Sequence, residues 1–278
     1  MTVAFALLAA IGYGASDFLG GFGSRRSPGF SIAVAGQVMA ALATCVAALL
    51  TGWGSDAPSL WWGVLAGIGS GVGIGFLYRG LAAGRMGVIA PVSAVGSALL
   101  PVLVGVLTGE RPGPWVWLGV AVALPGVWLV ASGTDEAEPS ESPGRALLDG
   151  AIAGLGFGVF FVAIGQVPSG AGLTPLAVSQ SVGLFTILGL AVMTRSAWLP
   201  RTRAASWGVA AGAIGAASSG SFMLASQSGL LTVAGVLSAL YPAVTVILAV
   251  ALLRERVHRL QALGLAMCVV SVALVATG

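Results

Sequence analysis

Asp17 and Arg79 are ionisable residues set inside long apolar runs, at 3–21 and 60–82. A charge at the centre of a membrane helix costs about 2.5–3.5 kcal/mol on insertion scales, so a side chain kept there is a candidate for binding or proton chemistry. Asp17 falls about six residues, or roughly 9 Å, from the middle of its run. Arg79 is expected at similar depth, toward the same face. A carboxylate and a guanidinium at matched depth can pair, and substrate or a proton would then compete for Asp17. The alternative is that both side chains reach the headgroup region from near the cytoplasmic interface.

Neutral polar and aromatic residues form a second tier. Tyr13, Phe157, Tyr78 and Tyr241 can flank or stack on a ligand, or simply pack. Ser16, Ser93, Ser218, Ser219 and Ser238 are polar points on the same runs. Gln37 and Gln180 occupy similar places in the second and seventh runs, where buried amides tie helices together or hold a polar substrate. Pro91, Pro101 and Pro242 each remove a helix hydrogen bond and are candidates for gating kinks. Gly63, Gly67, Gly71 and Gly75 recur every four residues, and Gly208, Gly212 and Gly220 repeat the pattern later. That spacing puts small residues on one helix face, where a second backbone can approach.

Other chemistries find little support. The single histidine, His258, sits in a loop, and Cys45 and Cys268 lie far apart in apolar runs as free thiols. A membrane enzyme would need clustered acid, base or metal ligands. No phosphate-binding loop with the nucleotide signature is present. Neither a cofactor nor a metal is expected, and the scattered net charge of +3 does not suggest nucleic acid.

The elements that must carry these residues follow from composition. The chain has 278 residues, 57% hydrophobic and 8% charged, against roughly 25% charged in soluble domains. So few charges cannot cover a water-facing surface, and the lipid bilayer is the expected partner. Ten apolar runs are long enough to span it as helices: 3–21, 30–52, 60–82, 87–108, 114–131, 146–166, 174–194, 206–228, 231–253 and 260–277. Seven of the eight tryptophans lie near run ends, as an interfacial belt requires. The polar stretch 133–145 reads as a linker.

That linker separates two copies of one unit. Shifted by 145 residues, 87–133 lies on 232–278 without a gap, with 16 of 47 positions identical. Glu110-Arg111 falls on Glu255-Arg256, and these paired charges read as anchors of the hairpins. The expected fold is an all-α integral membrane protein of ten transmembrane helices arranged as two inverted five-helix repeats: 1–133, a linker 134–145, and 146–278. Five spans is an odd number, so the second copy enters the membrane upside down. Counting alternate loops, one face holds ten arginines and the other holds Arg111 alone. The positive-inside rule then puts the first loop inside and both termini outside.

Two five-span repeats, each ending its fourth span in Gly109-Glu110-Arg111 or Arg254-Glu255-Arg256, resemble the EamA branch of the drug/metabolite transporter superfamily. Residues 13–18 (Tyr-Gly-Ala-Ser-Asp-Phe) are similar to the family's first-span pattern, with Asp17 where Asn is common. Residues 238–242 are similar to its ninth-span proline motif. The resemblance implies ten helices around a central cavity and secondary transport of a small metabolite, amino-acid-like or drug-like, with export the expected direction. The expected setting is the cell inner membrane and the expected form a monomer, with a proton as the coupling ion. A channel or a non-transporting membrane partner is the alternative.

Overall fold

The computed structural model describes residues 1–82, 86–132, 143–254 and 257–277. Glu255, Arg256 and most of the linker lie outside the described residues. All described regular structure is helical: α1 (Thr2–Ser24), α2 (Gly29–Thr51), α3 (Ala57–Ala82), α4 (Met86–Leu107), α5 (Pro114–Ala131), α6 (Pro143–Gly165), α7 (Thr174–Met193), α8 (Ala205–Gln227), α9 (Leu231–Ser238), α10 (Tyr241–Leu253) and α11 (Arg259–Thr277). Ten spans are long and apolar enough to cross a membrane, with α9 and α10 together forming the ninth.

Local sequence sets the ends. Asp56 precedes α3 and accepts a 2.5 Å hydrogen bond from the Ser59 hydroxyl, an N-terminal cap. The Ser59 hydroxyl bond holds the Asp56 carboxyl below the ordinary carboxylate range. Pro114 and Pro175 sit in the first turns of α5 and α7, where no N–H is missed. The turn after α4 passes through Gly109 at φ 97°, a conformation that glycine adopts without strain.

The ninth span departs from the uninterrupted helix expected over 231–253. It breaks at Ala239-Leu240, and Pro242 begins the second piece. Pro242 lacks an N–H, and its ring would collide with the carbonyl of Ser238, four residues back. The helix therefore stops at Ser238, and a tight Ala243 N–H to Leu240 carbonyl bond of 3.0 Å restarts it. By contrast, α4 runs as one helix through both Pro91 and Pro101. The Pro101 ring packs on Gly235 of α9, and an added Cβ there would lie 2.5 Å from it.

The extensive helix pairings join the segment before the linker to the segment after it. Helix α3 packs on α6 and α7, and α8 packs on α1 and α2. Helix α5 lies along α11, α2 meets α7, α4 meets α6 and α9, and α1 meets α9 and α10. Exchanging the two halves by the sequence shift exchanges these pairings. The match reaches single residues: Gly119 lies against Ser271, and the equivalent Gly264 lies against the equivalent Gly126. Gly12 lies against Ser218, and the equivalent Gly156 lies against Gly73.

Glycine makes these crossings possible. A Cβ on Gly212 would lie 1.9 Å from the Gly36 carbonyl oxygen, and one on Gly63 would lie 2.4 Å from that of Pro175. Gly67, Gly71 and Gly75 continue the line along α7, meeting Ser179, Thr186 and Leu190, while Gly208 meets Ile32 of α2. Gly220, expected in the same stripe, has ordinary room, with Leu176 at 3.9 Å.

Candidate functional site

Asp17 is positioned by α1, whose bundle-facing stripe runs Ala6, Ala10, Tyr13, Asp17, Gly20 at alternating four- and three-residue steps. Ala6 and Ala10 are sealed, and Gly20 is buried as well. The lipid-facing residues Leu8 and Ile11 lie on the opposite side of the helix. Asp17 is nevertheless exposed. An accessible side chain between buried neighbours on the inward face lines a crevice in the bundle. A Cβ on Gly21, one residue past Gly20, would meet nothing within 4 Å. Asp17 is four residues from the centre of α1, about 6 Å, and so deeper than the apolar run suggests. Its displacement is toward the arginine-bearing end at Arg25 and Arg26.

All three tyrosines of the chain come to the stretch of α1 around Asp17, with the Tyr78 hydroxyl over Gly20 and the Tyr241 backbone against Gly14. Tyr13 comes from α1, Tyr78 from α3 and Tyr241 from the first turn of α10. The break in the ninth span delivers Tyr241 to the middle of the bundle. The Tyr13 hydroxyl donates to Ser219 Oγ at 3.0 Å. The Tyr78 hydroxyl sits beside Ser24, close over Gly20. The Tyr241 hydroxyl sits beside Ser97. No hydrogen bond or ion pair reaches the Asp17 carboxylate among the described residues.

Behind Tyr13 a buried polar chain crosses four helices. Gln37 Nε2 donates to Gln180 Oε1 at 2.7 Å and to the Gln180 carbonyl at 2.9 Å. Gln180 Nε2 donates to Ser219 Oγ at 3.3 Å, and Ser219 donates to the Gly215 carbonyl at 2.9 Å. Beyond Tyr13, toward the other end of α1, Phe161 meets the Tyr13 ring edge-on at 5.8 Å and the Phe222 ring at 4.6 Å. This aromatic layer closes the crevice floor.

Arg79 does not pair with Asp17. Its guanidinium bonds the carboxylate of Asp149 on α6 and lies 4.2 Å from the Phe76 ring centroid. Asp149 is 4% exposed. The sequence reading passed over it, although it is an acid inside the apolar run 146–166, the same signal that singled out Asp17.

The remaining candidates hold helices. Ser16 Oγ donates to the Ala211 carbonyl at 2.9 Å, and Ser238 Oγ to the Ala6 carbonyl at 3.4 Å. Ser93 and Ser218 bond their own helices, at Ala90 and Ile214. The Phe157 ring lies on Gly73, where an added Cβ would be 2.7 Å away. Among the described residues no three His, Cys, Asp or Glu side chains converge as a metal site would need.

Glu110 has a role that its hairpin position did not suggest. Its carboxylate accepts from the backbone N–H groups of Leu231 and, at 2.9 Å, Thr232. A residue of the α4–α5 turn thus caps the N-terminus of α9, satisfying orphan donors and complementing the helix dipole. This contact lies at the arginine-poor end, opposite the mouth of the Asp17 crevice.

A comparison with curated proteins returns no match. Among solved structures 24 chains match. One of them, a crystal structure, superposes with a TM-score of 0.73 over 98% of this chain and 95% of its own, at 19% identity. At that identity the likeness speaks for the fold. The profile of the EamA-like transporter family matches residues 1–132 and again 144–277, one copy on each side of the linker. With ten spans, a crevice reaching an acidic side chain inside the bundle, and both halves matched by one family, the chain belongs to the EamA-like transporter family of small-molecule membrane transporters.

Proposed function

We propose that this protein is a secondary transporter that carries a small metabolite by alternating access, with export as its direction and Asp17 as its binding and coupling group. The single observation that carries this reading is the accessible carboxylate on a stripe of α1 whose Ala6, Ala10 and Gly20 are buried. Asp17 is exposed in the arginine-bearing half of α1, while Ala6, Ala10, Phe161 and Phe222 are buried toward the other end. A crevice open at one end and plugged at the other favours a carrier over a channel.

The two halves are read as inverted repeats, 1–133 and 146–278, joined by the linker 134–145. Residue contacts that swap when the halves are swapped support that symmetry. A twofold of this kind gives two near-equivalent packings, one for each open face. Substrate and proton compete for the Asp17 carboxylate, which links their movements. The protein is not read as an enzyme, and the cell inner membrane is its proposed setting.

Reconstituted into proteoliposomes with an imposed pH gradient, Asp17→Asn should lose gradient-driven substrate flux while purifying like the wild type. Undiminished gradient-driven flux would remove Asp17 from the mechanism.

A further inference from the structure

We infer that the site takes a cation, an organic ammonium with an aromatic or apolar body. The inference rests on the reading of the Asp17 crevice as the transport site and names the chemistry of what enters it.

Three observations converge. The guanidinium of Arg79, in the last turn of α3, is held by Asp149 and does not neutralise Asp17. At the mouth, Arg26 lies over the Phe22 ring at 4.8 Å. Asp17 therefore stands in the bundle without a counter-ion among the described residues. A carboxylate kept there is costly, and a ligand that supplies the missing positive charge recovers that cost. A neutral ligand leaves the charge uncompensated, and an anion adds repulsion.

The second observation is the surroundings. The chain has three tyrosines, and all three lie at this stretch of α1: Tyr13 one turn before Asp17, the Tyr78 hydroxyl close over Gly20 one turn after it, and the Tyr241 backbone against Gly14. Aromatic rings beside an acid make the environment that attracts ammonium groups through the ring quadrupole. Their hydroxyls are engaged with Ser219 or placed beside Ser24 and Ser97. The third observation is the floor. Phe161, 4% exposed, and Phe222, fully buried, pack just beyond Tyr13 and make the floor under its ring apolar.

The test uses the full chain purified in detergent and three radiolabelled probes of similar size: 2-phenylethylamine, protonated at pH 7, neutral 3-phenylpropan-1-ol, and 3-phenylpropanoate. In equilibrium dialysis the wild type should bind the ammonium at least about tenfold more tightly than the alcohol, with the carboxylate weaker still. Asp17→Asn should bind ammonium and alcohol alike, while Asp17→Glu should keep the preference. Equal binding of ammonium and alcohol by the wild type, no binding of any probe, or a preference surviving in Asp17→Asn overturns the inference. Flux in proteoliposomes separates the two readings. Charge-selective binding without ammonium flux would leave the cation site standing and defeat transport. Flux of the alcohol or the carboxylate without ammonium preference would do the reverse.

Discussion

At the scale of single residues, charge pairing decides which polar groups are free to work. Arg79 and Asp149 satisfy each other, and Asp17 is left over. Arg79→Gln would take from the buried Asp149 one of its charged contacts. A lost partner of this kind costs about 1–3 kcal/mol, toward the low end here because the Arg79 side chain is 45% exposed. Thermal unfolding in detergent should show this loss, and Arg79→Gln with Asp149→Asn should recover part of it. The Gln37–Gln180 pair makes a separate case. Interhelical hydrogen bonds in membranes average about 0.6 kcal/mol and reach about 1.7. Gln37→Leu alone leaves the Gln180 Oε1 without its donor, so the single variant should lose more stability than Gln37→Leu combined with Gln180→Leu. Asp17 and the tyrosines were legible in the sequence because charge and aromaticity stand out in apolar runs, and Asp149 carried the same signal without being singled out. Which acid would meet Arg79 was not, because pairing depends on how α3 meets α6, and no spacing along the chain encodes that contact.

At the scale of helices, small residues and caps set what can move. Gly212→Ala places a methyl where the Gly36 carbonyl oxygen already lies, so α2 and α8 must separate. Overpacking of this sort costs typically about 1–3 kcal/mol. Gly220→Ala, with Leu176 at 3.9 Å, should leave stability unchanged. Measured side by side in detergent, the two variants separate a packed crossing from mere spacing in sequence. The four-residue periodicity foretold the stripe but not where the neighbouring helix leaves it. Glu110→Ala should act differently. Removing a helix cap costs about 1 kcal/mol, which is about a fivefold shift in a two-state balance. Because the lost bonds close the arginine-poor end, a cysteine at Ala10 should label faster from that side in the Glu110→Ala background. An unchanged labelling rate would show that the cap does not help hold that end shut.

At the scale of the molecule, the ten spans could be counted from composition because hydrocarbon thickness dictates helix length. The break at Ala239-Leu240 could not be placed from hydropathy, which stays high through it; only Pro242 marked it. Single cysteines at Gly109 and Arg254 test the inverted arrangement directly. A membrane-impermeant maleimide should reach them from opposite sides, and labelling from one side would refute the inversion. The interlaced pairing of the two halves also bears on how the chain is made. Helices α1 and α2 have their glycine-lined partner, α8, roughly 150–180 residues further along. At about 5–20 residues per second of synthesis, the early spans wait roughly 8–35 s in the bilayer with those faces against lipid. Biogenesis is therefore exposed to insertion errors and premature degradation in that interval, and co-synthesis of two separate halves should restore what neither half achieves alone.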